Sequence, residues 1–230
     1  MYLIASIQRS GSYFLSYLLR GTNQLGAPFE YLHPDHAEKW HDRLGTCELR
    51  GMLQRLVQLR TSPNGWFGIK AHWDHFEYGR TNAGELLHFD KFIRIERRDR
   101  LAQAVSLALA RQTHSWLSMQ ETVAEPQYDK HKIAHALAIL DRDTRAWDRW
   151  FSVAKIQPLI VYYEDLVADP LAVLNTVMVE FDLNPLTTLP AVPTMKQGST
   201  LNDEWKRRYS GPAARLKWGS KSLLRRLLRR

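Results

Sequence analysis

The sequence has one cysteine, no long apolar run and no internal repeat, and each absence narrows the class of protein. Cys47 cannot form a disulfide within the chain, which excludes a small disulfide-stabilised scaffold and favours a reducing compartment. No apolar stretch approaches the roughly 18 residues of a membrane span, and the opening segment MYLIASI lacks the basic residues of a signal peptide. We therefore expect a cytoplasmic protein. Hydrophobic residues at 44% and charged residues at 24% exclude a disordered chain.

The net charge of +8 comes from the end of the chain. Ten of the 32 Lys and Arg residues, and no acidic residue, follow Glu204, so the preceding residues carry a net charge of −2. The basic isoelectric point is thus a property of the tail, and no nucleic-acid partner is expected for the body. We predict a folded domain over residues 1–210 and a basic tail over residues 211–230.

Four short apolar segments alternate with helical patterns along the body. The segments cover Leu3–Ile7, Trp66–Trp73, Lys91–Arg97 and Pro158–Tyr163. The helical patterns lie between the first segment and Gly21, at Leu101–Leu109, at Tyr128–Ala154 and after the Asp169–Pro170 pair, which is typical of a helix start. This alternation predicts an α/β domain with a mainly parallel sheet covered on both faces.

The segment Gln8–Ser12, between the first strand and the first helix, is a candidate anion site. Ligands of open parallel sheets bind at the carboxyl ends of strands. There the N–H groups of the helix N-terminus, the Ser10 and Ser12 hydroxyls and the Arg9 cation suit a phosphate or sulfate. The segment does not match GxxxxGK[ST], so it is no Walker A loop. Alternatively, Ser10 caps the helix and Gly11 eases packing, and the loop by itself leaves both interpretations open.

A second anion-binding pair follows the strand that starts at Lys91. Arg98 ends this strand, and Ser106 lies eight residues further along the next helix. A guanidinium at a strand end and a hydroxyl two turns into the following helix can converge on one oxyanion.

With these residues in place, the sequence resembles the PAPS-dependent sulfotransferases, in particular the bacterial family typified by trehalose sulfotransferase. The resemblance spans most of the body in five ordered blocks: IQRSGSYFLSYLLRGT with PFEYLHP, FGIKAHW, RRDRLAQAVSLALARQTHSW, YYEDLVADP and KQGSTLNDEWKRRY. It implies a three-layer α/β fold akin to P-loop kinases.

The resemblance also implies roles for individual residues. Residues 9–12, together with Tyr13, would bind the phosphosulfate of PAPS, and Arg98 and Ser106 its ribose phosphate. Arg9 would stabilise the leaving group, and Lys196 would add charge from a C-terminal loop. Glu30 matches the general base of the family. Gln8 stands where the family usually has proline, so the start of the loop is less constrained.

Glu30, Lys70, His33 and His72 also have ordinary interpretations. Glu30 could be a solvated loop acid, and Lys70 could be a strand-end lysine in solvent rather than a substrate-binding group. His33 and His72 are reserve bases that otherwise bind the acceptor or pack. For the segment His72–His75, acceptor binding is favoured over metal binding. His131 and His135 lack the intervening Glu of HExxH, so no metal site is expected.

The sequence thus predicts a metal-independent, in-line sulfotransferase that moves a sulfuryl group from PAPS to a hydroxyl of a carbohydrate or glycolipid. Residues 30–51 and 117–129 are expected to be acceptor loops. The alternatives are a catalytically degenerate module that binds a nucleotide or anion, and a membrane-surface adaptor. In the tail, leucines and arginines at 223–230 fall on opposite sides of a helix. Peripheral membrane contact and a homodimer both remain open, and a frayed or dimer-packing helix is favoured.

Overall fold

The computed structural model describes residues 1–116, 125–191 and 200–211 of the chain. Its four strands are β1 (Tyr2–Ala5), β2 (Gly68–Ala71), β3 (Lys91–Glu96) and β4 (Leu159–Tyr162). They form one sheet in the order β2-β1-β3-β4, and all three neighbouring pairs are parallel. Each strand lies within or overlaps a segment predicted from its apolar pattern. The predicted parallel sheet is therefore confirmed.

Helices lie on both sides of this sheet, which gives the α/β fold. The described residues contain the helices α1 (Ser12–Gly21), α2 (Pro34–Leu44), α3 (Leu49–Arg60), α4 (Trp73–Ala83), α5 (Arg100–Thr113), α6 (Lys130–Ala154), α7 (Tyr163–Ala168), α8 (Pro170–Glu180) and α9 (Thr200–Ser210). The chain divides into two compact units. Of the described residues, 1–98 and 139–191 form the sheet unit, and 99–116, 125–138 and 200–211 form the helical unit.

The core of the sheet unit surrounds β1, all four residues of which are fully buried. Tyr2 and Ile4 belong to an apolar cluster with the leucines of α1 and with Val177 and Met178 of α8. Elsewhere in the unit, Trp147 of α6 packs against aromatic rings of α4, and its indole N–H donates to the Ser6 carbonyl at 3.0 Å. The sheet is thus fixed at the carboxyl end of β1, where the candidate site begins.

Two helix starts show which local signals are informative. The Asp169 carboxylate caps α8 by accepting from the Ala172 N–H at 3.0 Å, as the Asp-Pro pair predicts. The prediction of a loop over residues 30–51 is wrong, because this stretch contains α2 and the start of α3. Pro34 begins α2, and Gly45, at φ 61°, ends it. A proline at the start and a glycine just after the end are ordinary helix signals that the acceptor-loop interpretation overlooked.

Some predictions concern residues outside the described ranges. These are Lys196, the tail from residue 212, and most of the acceptor loop expected at residues 117–129. Among the described residues, no helix is both long and apolar enough to cross a bilayer.

Candidate active site

The loop Gln8–Ser12, which we call the anion loop, joins β1 to α1 in a tight turn. Arg9 and Gly11 both have left-handed backbone conformations, at φ 61° and φ 83°, and the Ser10 N–H donates to the Ile7 carbonyl at 3.3 Å. A Cβ at Gly11 would lie 2.3 Å from Cδ2 of Tyr163. Both the conformation and the close ring therefore require glycine at this position.

The anion loop concentrates positive charge and unsatisfied donors. Burial, and next the neighbouring Arg97, lower the pKa of Arg9 to about 10, so Arg9 remains a cation at neutral pH. Ser10 Oγ is buried and has no hydrogen-bond partner among the described residues, and the same is true of Arg97 Nε. Buried polar atoms of this kind normally have partners. The residues present therefore fit an anionic group such as a phosphosulfate.

Arg98 lies just beyond β3 and is oriented by the segment that follows β4. Its two terminal nitrogens donate to the Asp165 carboxylate at 2.5 and 2.7 Å, and its guanidinium lies 3.9 Å from the centre of the Tyr162 ring. The Arg98 backbone N–H donates to Glu164 at 3.0 Å. The side chain is half exposed, so the guanidinium is held in position at a surface that solutes can reach.

Ser106 belongs to α5 in the helical unit and is buried there. Asp99 caps α5 by accepting from the Ala102 N–H at 2.9 Å, and Lys206 of α9 donates to the same carboxylate. The helix that carries Ser106 is thus fixed at its start. Convergence of Arg98 and Ser106 on one phosphate remains a prediction.

Glu30 is the centre of a second group, the carboxylate cluster, which comprises Glu30, Tyr13, Lys70 and His72. The Lys70 N–H donates to the Phe29 carbonyl at 3.0 Å, which attaches the residue before Glu30 to the edge of β2. The Tyr13 hydroxyl donates to Glu30 Oε2 at 2.8 Å, and Lys70 Nζ donates to Oε1. Nε2 of His72 lies 3.1 Å from Oε1. Three neighbours therefore fix the carboxylate.

The electrostatics of this cluster keep Glu30 ionised. Burial alone would raise the pKa of Glu30, but Lys70 and His72 outweigh burial and hold the pKa well below its usual range. Burial and the neighbouring carboxylate raise the pKa of Tyr13, so the phenol remains a donor. Glu30 is 7% exposed and Lys70 is 0% exposed. The alternatives of a solvated acid at position 30 and a solvated lysine at position 70 are therefore wrong.

Other histidines lie near the carboxylate cluster and its own His72. Nδ1 of His72 lies 2.9 Å from Ser6 Oγ, so His72 has a second partner besides Glu30. Nδ1 of His36 lies 3.8 Å from Glu30 Oε2, and the His36 ring stacks on His33 with centroids 4.6 Å apart. Despite this density of imidazoles, the described part of the chain contains no group of three or more side chains arranged to hold a metal ion.

Tyr163 and His36 lie beside the candidate site residues, although neither was assigned a role from the sequence; Tyr163 falls within the block YYEDLVADP. Tyr163 packs against Gly11, and the Arg97 guanidinium lies 4.7 Å from the centre of its ring. The available signal for Tyr163 is its position after β4, at the carboxyl end of a parallel strand. No feature of the sequence marks His36, because only the folded position of α2 places its ring near Glu30.

An ionised buried carboxylate next to an anion loop is suited to transferring an anionic group to a hydroxyl. The comparisons with known proteins identify the family of the chain. The model of the Stf0 sulphotransferase family matches residues 84–211. The chain belongs to this family, and it is a sulfotransferase. The resemblance found in the sequence is thereby confirmed.

Two curated relatives are similar over nearly the whole chain. The trehalose 2-sulfotransferase of Mycolicibacterium smegmatis is 26% identical over 93% of this chain and 96% of its own. That of Mycobacterium tuberculosis is 26% identical over 94% of this chain and 96% of its own. Each name states the acceptor of that enzyme.

Two solved structures share the fold. The sulfotransferase domain of the Synechococcus PCC 7002 olefin synthase has a TM-score of 0.50 and 19% identity, with 91% of this chain and 86% of that domain covered. The sulfotransferase domain of the curacin biosynthetic pathway has a TM-score of 0.51 and 14% identity, with 91% and 89% covered. These likenesses confirm the sulfotransferase fold class.

Proposed function

We propose that the protein transfers a sulfuryl group from PAPS to a hydroxyl of a carbohydrate or glycolipid acceptor. The observation that carries this proposal is Tyr13. It lies in the first turn of α1, directly after the anion loop, and its hydroxyl donates to the Glu30 carboxylate at 2.8 Å. One side chain thus links the place suited to an anionic donor with the place suited to removing a proton.

On the donor side, PAPS supplies a sulfuryl group attached to a phosphate leaving group. Arg9, Ser10 and the backbone N–H groups of residues 11–13 would hold the phosphosulfate, while Arg98, Ser106 and Lys196 would hold the ribose phosphate. Support comes from two buried donors, Ser10 Oγ in the loop and Arg97 Nε beside it, that lack partners among the described residues, and from the oriented guanidinium of Arg98. Cations and N–H dipoles placed where negative charge develops supply most of the rate in transfers of this kind.

On the acceptor side, Glu30 would take the hydroxyl proton while the acceptor oxygen bonds to sulfur. A carboxylate held ionised is ready to accept that proton at any pH near neutrality. It need not be a strong base, since the acceptor oxygen becomes more acidic as its new bond forms. Lys70 would keep Glu30 ionised and border the substrate, and His33 and His72 would contact the acceptor.

A sulfuryl-transfer assay tests the proposal. The full chain is incubated with PAPS and, in turn, trehalose, glucose and a trehalose-based glycolipid, and sulfated products are identified by mass spectrometry. We expect a sulfated carbohydrate whose formation depends on Glu30. PAP binding without transfer to any acceptor of the panel would favour the degenerate anion-binding module. Absence of both binding and transfer would contradict PAPS as the donor.

A further inference from the structure

His75 is a buried histidine next to the carboxylate cluster, and one of its ring nitrogens has no hydrogen-bond partner in the described part of the chain. It lies in the first turn of α4 and is 6% exposed. Its Nδ1 is buried and has no hydrogen-bond partner among the described residues. Its Nε2 lies 3.8 Å from Asp74 Oδ1, which is too far for a hydrogen bond. Since buried polar atoms are normally paired, this nitrogen has the capacity to bond a polar group from outside the described residues.

The charge state of His75 limits what that ligand can be. Burial, and next the neighbouring His72, lower the pKa of His75 to about 3, so the ring is neutral at physiological pH. A neutral imidazole offers one donor and one acceptor and no charge. Such a ring suits an uncharged hydroxyl better than a sulfate or phosphate, which the arginines of the anion loop would bind.

His75 lies near the place where the reacting hydroxyl would meet Glu30. Its ring centre lies 5.1 Å from that of His72, whose Nε2 is 3.1 Å from the Glu30 carboxylate. On another side, the His33 ring is 4.4 Å away. The His75 ring therefore belongs to the group of imidazoles near Glu30. A carbohydrate carries several hydroxyls within a few ångströms of any one of them, so an acceptor with one hydroxyl at Glu30 can bring a neighbouring hydroxyl to this group.

We propose that Nδ1 of His75 hydrogen-bonds a second hydroxyl of the acceptor, adjacent to the one that is sulfated, and that the site thereby selects polyhydroxylated acceptors. This assignment rests on the proposed function, because it takes Glu30 as the base and a carbohydrate as the acceptor. It makes His75 a specificity-determining residue with no part in binding the donor.

The test compares two substitutions on two acceptors. His75→Phe removes both ring nitrogens, whereas His75→Asn keeps a polar atom close to the position of Nδ1. Each variant and the wild type are assayed with trehalose and with the deoxytrehalose that lacks the hydroxyl next to the sulfated one, as located by NMR of the wild-type product. PAP affinity, measured by calorimetry, controls for folding.

We expect the wild type to favour trehalose over the deoxy analogue by at least about tenfold in kcat/KM, because sites built to bond a hydroxyl reject analogues that lack it. His75→Phe should lose activity on trehalose but not on the deoxy analogue, so its preference for trehalose disappears. His75→Asn should retain most of this preference. PAP affinity should be unchanged in both. In ¹⁵N-histidine NMR of the wild type with PAP, adding trehalose should shift the Nδ1 resonance of His75.

Equal losses on the two acceptors, or an Nδ1 resonance that trehalose leaves in place, would overturn the assignment and leave His75 a packing residue. The NMR measurement decides the matter even if His75→Phe fails to fold. If the wild type sulfates no carbohydrate at all, the proposed function itself fails, and this result is distinguishable because it appears before any variant is made.

Discussion

The anion loop and the carboxylate cluster meet at Tyr13, which directly follows the loop and belongs to the cluster, yet their polar groups are arranged in opposite ways. In and beside the loop, Ser10 Oγ and Arg97 Nε have no partner within the described part of the chain, and Arg9 and Gly11 have left-handed backbone conformations. In the cluster, both Glu30 oxygens have partners. Among the described residues, one region has buried donors that lack a partner, whereas the carboxylate of the other is already neutralised.

This contrast assigns different tasks to the two regions. Unsatisfied donors and cations gain free energy only when an anion binds, so the loop should govern donor affinity. A carboxylate held by internal partners gains little from ligand binding but is fixed in geometry and charge, so the cluster should govern turnover. Substitutions in the two regions should therefore separate affinity from rate.

The largest effect is expected for Glu30→Gln. This change keeps the side-chain volume and removes the proton acceptor, so turnover should fall roughly 10²-fold or more, while PAP affinity stays near that of the wild type. Steady-state kinetics and calorimetry, performed well below the unfolding temperature because Lys70 loses its partner, provide the two readouts. Full activity of the variant would assign the base role to His33 or His72.

For Arg98→Ala, we expect weaker donor binding rather than slower turnover. Loss of a charged hydrogen-bond donor to a phosphate should weaken PAP binding by roughly 10-fold to 100-fold. Arg55→Ala, which removes an exposed arginine of α3, is the matched control and should leave the affinity unchanged. Equal PAP affinities of the two variants, measured by calorimetry, would exclude Arg98 from the donor site.

A glycine pair tests whether the loop conformation depends on Tyr163. Gly11 and Gly45 both have positive φ, but a Cβ meets Tyr163 at Gly11 and nothing within 4 Å at Gly45. Alanine should cost roughly 1–2 kcal/mol of backbone strain at either position, and crowding at Gly11 should add roughly 1–3 kcal/mol. Urea unfolding measures both, and indistinguishable losses of stability would show that the Tyr163 contact does not constrain the loop.

The smallest change is expected in the pH dependence of Lys70→Met. In the wild type the pKa of Glu30 is well below its usual range, so Glu30 stays ionised as the pH falls from 8 to about 5. Removing Lys70 leaves burial opposed by His72 without the charge of Lys70, so the pKa of Glu30 should rise. The acidic limb of the kcat/KM profile should therefore move up by about one pH unit or more.

Lys91→Met is the control for this shift, because Lys91 forms a more exposed ion pair with Glu180 at 3.3 Å. Its profile should match that of the wild type. An acidic limb that stays in place in Lys70→Met would show that Lys70 does not set the charge of Glu30.

The parts of the fold that could be predicted from sequence are those with local causes. The apolar segments predicted the strands, and the pair Asp169–Pro170 predicted the start of α8. The pairing of Lys70 with Glu30 and that of Arg98 with Asp165 join residues 40 and 67 positions apart. No periodicity encodes such contacts, because packing of the sheet and its helices creates them. Glu30 itself was found through its match to a family motif, but the partners that fix its charge required the structure.

The claim that the anion loop holds the donor is tested most directly by calorimetry of the wild type and Ser10→Ala with PAP and with ATP. PAP should bind the wild type, ATP should bind far more weakly, and Ser10→Ala should reduce PAP affinity by roughly 5-fold to 10-fold, as expected for one neutral hydrogen bond. Tighter binding of ATP than of PAP, or unchanged PAP affinity in Ser10→Ala, would contradict the assignment.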